Sequence, residues 1–358
     1  MLASAPASPV AVAICDDSAV IRGAVGRILA AAPDLTVVQR ASNGRELLEG
    51  LSRARPDVVI LDIEMPEMDG LTALPRVLAA QPGVRVLMSS TLTTRGADIT
   101  LRALRLGASD YIPKPSSLAA WGTGGAWAAD LMAKVRALGG ASSMPPGRDV
   151  AIVLRPSPAR PPSVIAIGCS TGGPAALIQM LPALGRDFAL PILVTQHMPP
   201  TFTAMLADHI GRMQGPTCSE ATDGMVVRPG HVHLARGDRH MVVERGQGDL
   251  VLRLTDDPPE HFCRPAVDPL LRSLARHAGD RTLAVILTGM GNDGKQGAEA
   301  LVAAGGGVIA QDEASSVVWG MPGAVARAGL CHAVLPLSAM AGKLREIGSS
   351  LPAARCPA

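Results

Sequence analysis

Between Val10 and Pro115 short apolar runs alternate with helical patterns, and that alternation leaves few folds open. The runs are Val10–Cys15, Leu35–Arg40, Asp57–Leu61, Val84–Ser89 and Tyr111–Ile112. Between them lie helical patterns over Ala19–Ala31, Gly44–Arg53, Leu71–Ala80 and Gly96–Leu106. Five such units predict a doubly wound, five-stranded parallel sheet, because parallel strands need a long crossover and a helix supplies it. Ligands of such sheets bind at the carboxyl ends of the strands, and the reactive side chains collect there. Asp16-Asp17 closes the first strand, Asp62 the third and Ser90 the fourth, and Lys114 follows the fifth. Three carboxylates at one edge repel each other unless a cation joins them, and hard oxygens with room for water suit Mg²⁺. Asp62 would then act as a nucleophile toward phosphorus. Lys114 and the metal would hold the phosphoryl oxygens, and Ser90 would hydrogen-bond the new phosphate.

Cys15-Asp16-Asp17-Ser18, Leu61-Asp62-Ile63-Glu64-Met65-Pro66-Glu67-Met68-Asp69-Gly70 and Lys114-Pro115 resemble the receiver domain of two-component response regulators. The resemblance implies a flavodoxin-like receiver over residues 8–125, with Asp62 phosphorylated by a histidine kinase. It implies Mg²⁺ ligands from Asp17, Asp62 and the backbone carbonyl of Glu64, with Asp16 beside them. Tyr111 takes the place of the family's switch aromatic and joins Ser90 and Lys114 in the switch.

Residues 126–162 read as the receiver's last helix, Ala126–Leu138, and a mobile Pro/Gly/Ser/Ala-rich connector. Trp121 and Trp127 are expected to pack on the receiver edge, with an interdomain contact as the alternative.

The second domain, residues 163–351, opens on Val164-Ile165-Ala166-Ile167-Gly168-Cys169-Ser170-Thr171-Gly172-Gly173-Pro174. A buried strand there meets a helix start, with Ser170 in the turn, the arrangement that thrusts a nucleophilic hydroxyl out at a sheet edge. The next strand, Leu190–Thr195, delivers His197. From Cys218 to Leu254 the hydrophobic period falls to two, which predicts inserted antiparallel hairpins. His231, His233 and His240 lie there without acidic or thiol partners at helpful spacing, and read as surface or hairpin-face residues rather than metal ligands.

After a buried strand, Thr282–Leu287, comes Thr288-Gly289-Met290-Gly291-Asn292-Asp293-Gly294-Lys295-Gln296, which supports three readings. Gly289, Gly291 and Gly294 outline a dinucleotide site, with Asp312 further on, and also most of a P-loop. Asp293 opposes both, since its charge would face the phosphate at the helix start. In the third reading Asp293 orients a histidine, giving Ser170–His197–Asp293. A hydrolase with its histidine last in the chain would instead use His332.

Gly168-Cys169-Ser170-Thr171-Gly172-Gly173-Pro174, Thr195-Gln196-His197-Met198-Pro199-Pro200, Arg264-Pro265-Ala266-Val267-Asp268 and Leu287-Thr288-Gly289-Met290-Gly291-Asn292-Asp293-Gly294 resemble the chemotaxis protein-glutamate methylesterases. The resemblance implies a doubly wound α/β catalytic domain with Ser170 as nucleophile, His197 as base and Asp293 as its partner. The N–H groups of Met290 and Thr171 would form the oxyanion hole, and no cofactor is expected for the esterase. The implied substrates are glutamate methyl esters, and glutamines, of chemoreceptors. The implied control is a receiver that covers the triad until phosphorylated.

Composition narrows the partners. A net charge of +2 with no basic stripe excludes a nucleic-acid face, and no apolar run is long enough for membrane insertion. The N-terminus lacks the basic segment of a secretory signal, and the six cysteines occur singly, as reduced thiols do in a cytoplasmic protein. The alternatives are a non-catalytic response regulator, which lacks a helix-turn-helix here, and a nucleotide-binding protein using Gly289–Gly294.

Overall fold

The structure, a computed structural model, describes residues 8–91, 93–115, 125–140 and 152–349, and the chain divides into two compact units, 1–148 and 149–358. In the first, β1 (Val10–Cys15), β2 (Leu35–Ala41), β3 (Val58–Asp62), β4 (Arg85–Ser90) and β5 (Asp110–Pro113) form a parallel sheet of order β2-β1-β3-β4-β5. Four crossover helices join them: α1 (Ala19–Ala30), α2 (Gly44–Ala54), α3 (Gly70–Ala80) and α4 (Thr94–Arg105); α5 (Ala126–Leu138) follows. Ser18, Asn43, Asp69 and Thr93 cap the four, each accepting a first-turn N–H and each stabilising its helix by about 1 kcal/mol. The central strand β3 is buried along its whole length, as a strand covered by helices on both faces must be. The chain leaves β1 in one direction for β2 and returns on its other side as β3, so Asp16 and Asp62 flank the point where strand order reverses. Gly70 lets α3 start against that point: a Cβ there would lie 2.0 Å from the Asp62 carbonyl oxygen.

The second unit repeats the logic on a larger sheet. Its strands are β6 (Val164–Cys169), β7 (Ile192–Gln196), β8 (Thr217–Glu220), β9 (His231–Leu234), β10 (His240–Arg245), β11 (Leu250–Thr255), β12 (Thr282–Ile286), β13 (Gly307–Gln311) and β14 (Ala333–Leu335). Seven form a parallel sheet of order β14-β13-β12-β6-β7-β9-β8, while β10 and β11 pair antiparallel as a separate hairpin. The helices are α6 (Gly173–Met180), α7 (Pro200–Gly211), α8 (Val267–His277), α9 (Lys295–Ala303), α10 (Met321–Arg327) and α11 (Leu337–Ser349). No helix among the described residues is long and apolar enough to cross a membrane.

Two expectations change. The period-two stretch makes only one antiparallel hairpin, because β8 and β9 join the main sheet in parallel beside β7. Alternation marks a strand but carries no information on the direction of its neighbour. Nor is residues 155–162 a free tether. Arg155 N–H donates to the Cys331 carbonyl (2.8 Å) and Arg160 pairs with Asp280 (3.3 Å). Trp127 does pack on the first unit, its indole donating to the Pro113 carbonyl (2.6 Å), whereas Trp121 lies outside the described residues.

Candidate active site

At the carboxyl edge of the first sheet Lys114 Nζ lies 2.8 Å from Asp16 Oδ2 and 2.7 Å from Asp62 Oδ1. Asp62 also accepts its neighbour's N–H, from Ile63, at 2.8 Å. Burial, with Asp16 adding to it, outweighs the pull of Lys114 and pushes the Asp62 carboxyl up to about 6. Ligand oxygens of Asp16, Asp17 and Asp62 fall within 4.8 Å of one another. Three carboxylates against one ammonium leave two negative charges among hard oxygens, which fits a dication such as Mg²⁺. Glu64 lies two residues beyond Asp62 with its side chain exposed toward Arg95. Ser90 is buried, its hydroxyl 3.1 Å from the Gly96 carbonyl and 3.3 Å from that of Thr91. Tyr111 is buried beside Asp110, and burial raises its phenol well above the usual value.

In the second unit the sheet order sets β12, β6 and β7 side by side. Cys169 of β6 is in register with Gln196 of β7, so Ser170 and His197 leave adjacent strand ends one residue later. The loop after β12 brings Asp293 to the same edge. His197 Nε2–H donates to Asp293 Oδ2 at 2.7 Å. The same oxygen accepts Val267 N–H (2.6 Å), and Oδ1 accepts the N–H groups of Asp268 (3.0 Å) and Gly294 (2.8 Å). Burial opposes ionisation of Asp293, yet the His197 bond and these amides hold its carboxyl below the usual range. Burial alone would lower His197; Asp293, with the Cys263 side chain also beside the ring, outweighs it and pushes the imidazole up to about 9. Among the described residues the Ser170 hydroxyl makes no hydrogen bond, and the Cys263 side chain lies against the His197 ring.

The Ser170 turn is braced from both sides. Gly172 takes a left-handed φ of 77°, a conformation glycine adopts without cost, just before α6. Ser170 N–H donates to the Thr288 carbonyl (3.1 Å), and Thr288 Oγ1 donates to the Thr171 carbonyl (2.9 Å) while accepting Val318 N–H (3.0 Å). Gln196 Nε2 donates to the Ser170 carbonyl (3.0 Å). Gly289 abuts the serine, where a Cβ would stand 3.0 Å from Ser170 N and Cβ, and Met290 follows it in the chain.

The rival readings of this edge meet obstacles. His332 stands against Gly307, the first residue of β13, at the opposite end of the strands from Ser170. The Gly294 N–H, which a nucleotide phosphate would need, is occupied by the Asp293 carboxylate. The three histidines of the period-two stretch are structural, but not all superficial. His233 and His240 are buried and accept the N–H groups of Arg228 and Ala266, while His231 bonds Thr217 and Ser219.

A group that sequence patterns did not isolate lies beside the pair. His261 Nε2 is 2.8 Å from Asp268 Oδ2 and 3.9 Å from Asp293 Oδ1, and Asp268 is fully buried. These three could offer ligand atoms to a metal, but both Asp293 oxygens already accept two donors each and Asp268 Oδ1 accepts Gly297 N–H. The cluster is a hydrogen-bond network. His261 and Phe262 form the centre of a tight turn closed by reciprocal bonds between Glu260 and Cys263 (3.1 and 2.8 Å). Both have positive φ, 52° and 62°, which for side chains of this size costs about 1 kcal/mol or more each.

Comparison with known proteins agrees with this layout. Residues 165–344 match the CheB methylesterase family and residues 12–120 the response regulator receiver domain. The chain is 51% identical to a protein-glutamate methylesterase/protein-glutamine glutaminase of Paramagnetospirillum magneticum, over 94% of this chain and 96% of the relative. It is 49% identical to one from Azospirillum brasilense, over 97% and 94%. The crystal structure of the Thermotoga maritima CheB methylesterase catalytic domain, 41% identical, superimposes with a TM-score of 0.51, covering 52% of this chain and 98% of that one.

Proposed function

The chain belongs to the CheB methylesterase family, and from that premise we propose a phosphorylation-activated serine hydrolase that removes methyl esters from chemoreceptor glutamates and deamidates receptor glutamines. It is a protein-glutamate methylesterase and protein-glutamine glutaminase with a receiver domain, working where the receptor's cytoplasmic helices are reached. The observation that carries the triad is the 2.7 Å His197–Asp293 bond at the edge where the Ser170 turn emerges. Ser170 Oγ attacks the ester carbonyl as His197 takes its proton, and Asp293 stabilises the imidazolium that results. The carbonyl oxygen becomes an oxyanion facing the N–H groups of Met290 and Thr171. Collapse expels methoxide, which leaves as methanol with the His197 proton, and water then cleaves the acyl-enzyme by the same route. With a glutamine side chain the leaving group is ammonia, a poorer one, so deamidation is slower.

The receiver supplies control. An Asp62 oxygen attacks the phosphorus of a phosphohistidine on the kinase; the O–P bond forms as the N–P bond breaks. Asp17, Asp62 and the Glu64 carbonyl, with Asp16 beside them, would hold Mg²⁺, which supplies charge neutralisation for the phosphoryl oxygens. Phosphorylation adds about −1.5 to −2 charges next to Lys114, and Ser90 and Tyr111 rearrange around it. Ser170→Ala is expected to abolish methanol release from methylated receptor membranes while Asp62 still takes phosphate from a small phosphodonor. Turnover retained in that variant would remove the serine from the mechanism.

A further inference from the structure

The chain has three Phe and one Tyr, and the first two Phe, Phe188 and Phe202, are buried. The third, Phe262, is as exposed as a side chain can be, at 104% of the reference area. It occupies the tip of a turn whose two central residues are held in the left-handed region without glycine. That conformation persists because three ties over-determine it. Glu260 and Cys263 exchange backbone bonds, Glu260 forks onto Arg272 of α8 (3.0 Å for one of the two contacts), and His261 is fixed to Asp268. The residues on either side of Phe262 both reach the acid–base pair. His261 lies 3.9 Å from Asp293, and the Cys263 side chain stands beside the His197 ring. Strain and exposure of an aromatic ring both work against stability, and the packing of this unit gains nothing from the ring at the tip. An outlier of this kind at a reaction centre calls for a functional reading.

We propose that Phe262 is a docking anchor for the protein substrate, packing on the apolar side chain of an amphipathic receptor helix one turn from the glutamate whose ester enters the cleft. On a helix, residues three or four apart are neighbours about 5–6 Å apart, so one rigid knob beside the triad reads the next turn while Ser170 reaches the ester. The rigidity of the turn lowers the cost of ordering it on contact. The occupant is the macromolecular substrate rather than a small ester, which ends before the knob. This inference rests on the esterase reading above.

The test compares Phe262→Ala and Phe262→Leu in the full-length protein on two substrates, methylated receptor membranes and a p-nitrophenyl ester. Burial of one aromatic side chain corresponds to roughly ten- to a hundredfold in affinity. Phe262→Ala is therefore expected to lower kcat/KM on receptor membranes at least tenfold more than on the chromogenic ester, mostly through KM, with Leu recovering part of it. Equal losses on both substrates would overturn the proposal in favour of a role in holding His261 and Asp293. No loss on either would overturn it outright. Higher resting activity without phosphodonor would make the receiver the occupant, and a change in sedimentation with concentration would make it a second copy; either result overturns it. Ser170→Ala, run in parallel, separates this from failure of the esterase reading, because turnover in that variant would condemn the mechanism and not the anchor.

Discussion

The acid–base pair is where individual side chains decide the chemistry. In the proposed mechanism only a neutral imidazole takes the serine's proton, so activity is expected to fall as pH drops through the folded pKa of His197. Asp293 raises that pKa above the ordinary 6.5, and the acid limb of kcat/KM is expected on the alkaline side of 6.5. Asp293→Asn removes the charge that raises it: the limb moves to lower pH, and kcat falls by about 10⁴-fold, both read from one pH–rate profile. A limb that stays in place would detach Asp293 from His197. That Ser170, His197 and Asp293 come to one sheet edge was legible in the sequence because each follows a strand, and strand ends are where a parallel sheet gathers its chemistry. His261 and Cys263 were not, since they sit in a loop with no periodicity. Their nearness to the pair depends on how α8 docks, and a string of letters carries no trace of that.

At the scale of elements, the site depends on the loop after β12 being tied to the turn after β6. Thr288 is the tie, accepting from Val318 and donating to Thr171 with one hydroxyl. Thr288→Val keeps the shape and leaves the Val318 N–H and the Thr171 carbonyl short of a partner in a buried setting. That is expected to cost about 1–3 kcal/mol of stability, seen as a lower denaturant midpoint, and to lower kcat more than it raises KM because the serine turn loosens. A midpoint and kcat both equal to the parent's would show that the brace is idle. The β/α alternation gave every strand of the first sheet within a residue or two. It failed at β8 and β9: His231–Leu234 was recognisable as a strand, but its parallel pairing with β7 on one side and with β8 (Thr217–Glu220) on the other was not. Hydrophobic spacing fixes which face is buried, while the neighbour is chosen by the connections the whole sheet can close.

Over the whole molecule, two anionic centres lie on separate units with different appetites for cations. The receiver cluster keeps two uncompensated charges around Asp62, whereas Asp293 has every lone pair engaged by an N–H. Chelation with EDTA is accordingly expected to remove stimulation by a phosphodonor and leave resting ester hydrolysis in place. A chain lacking residues 1–147 is expected to hydrolyse receptor esters faster than the resting full-length protein and to ignore both phosphodonor and chelator. A truncated form slower than the resting protein would mean that the receiver activates by direct contact rather than by release. The saturated carboxylate of Asp293 has a last consequence. Its four donors come from His197, the start of α8 and the residue before α9, segments that meet only in the finished fold. When a proton arrives on the imidazole, no dipole around the acid has to swing to greet it. Folding has already done the solvent's work of reorientation.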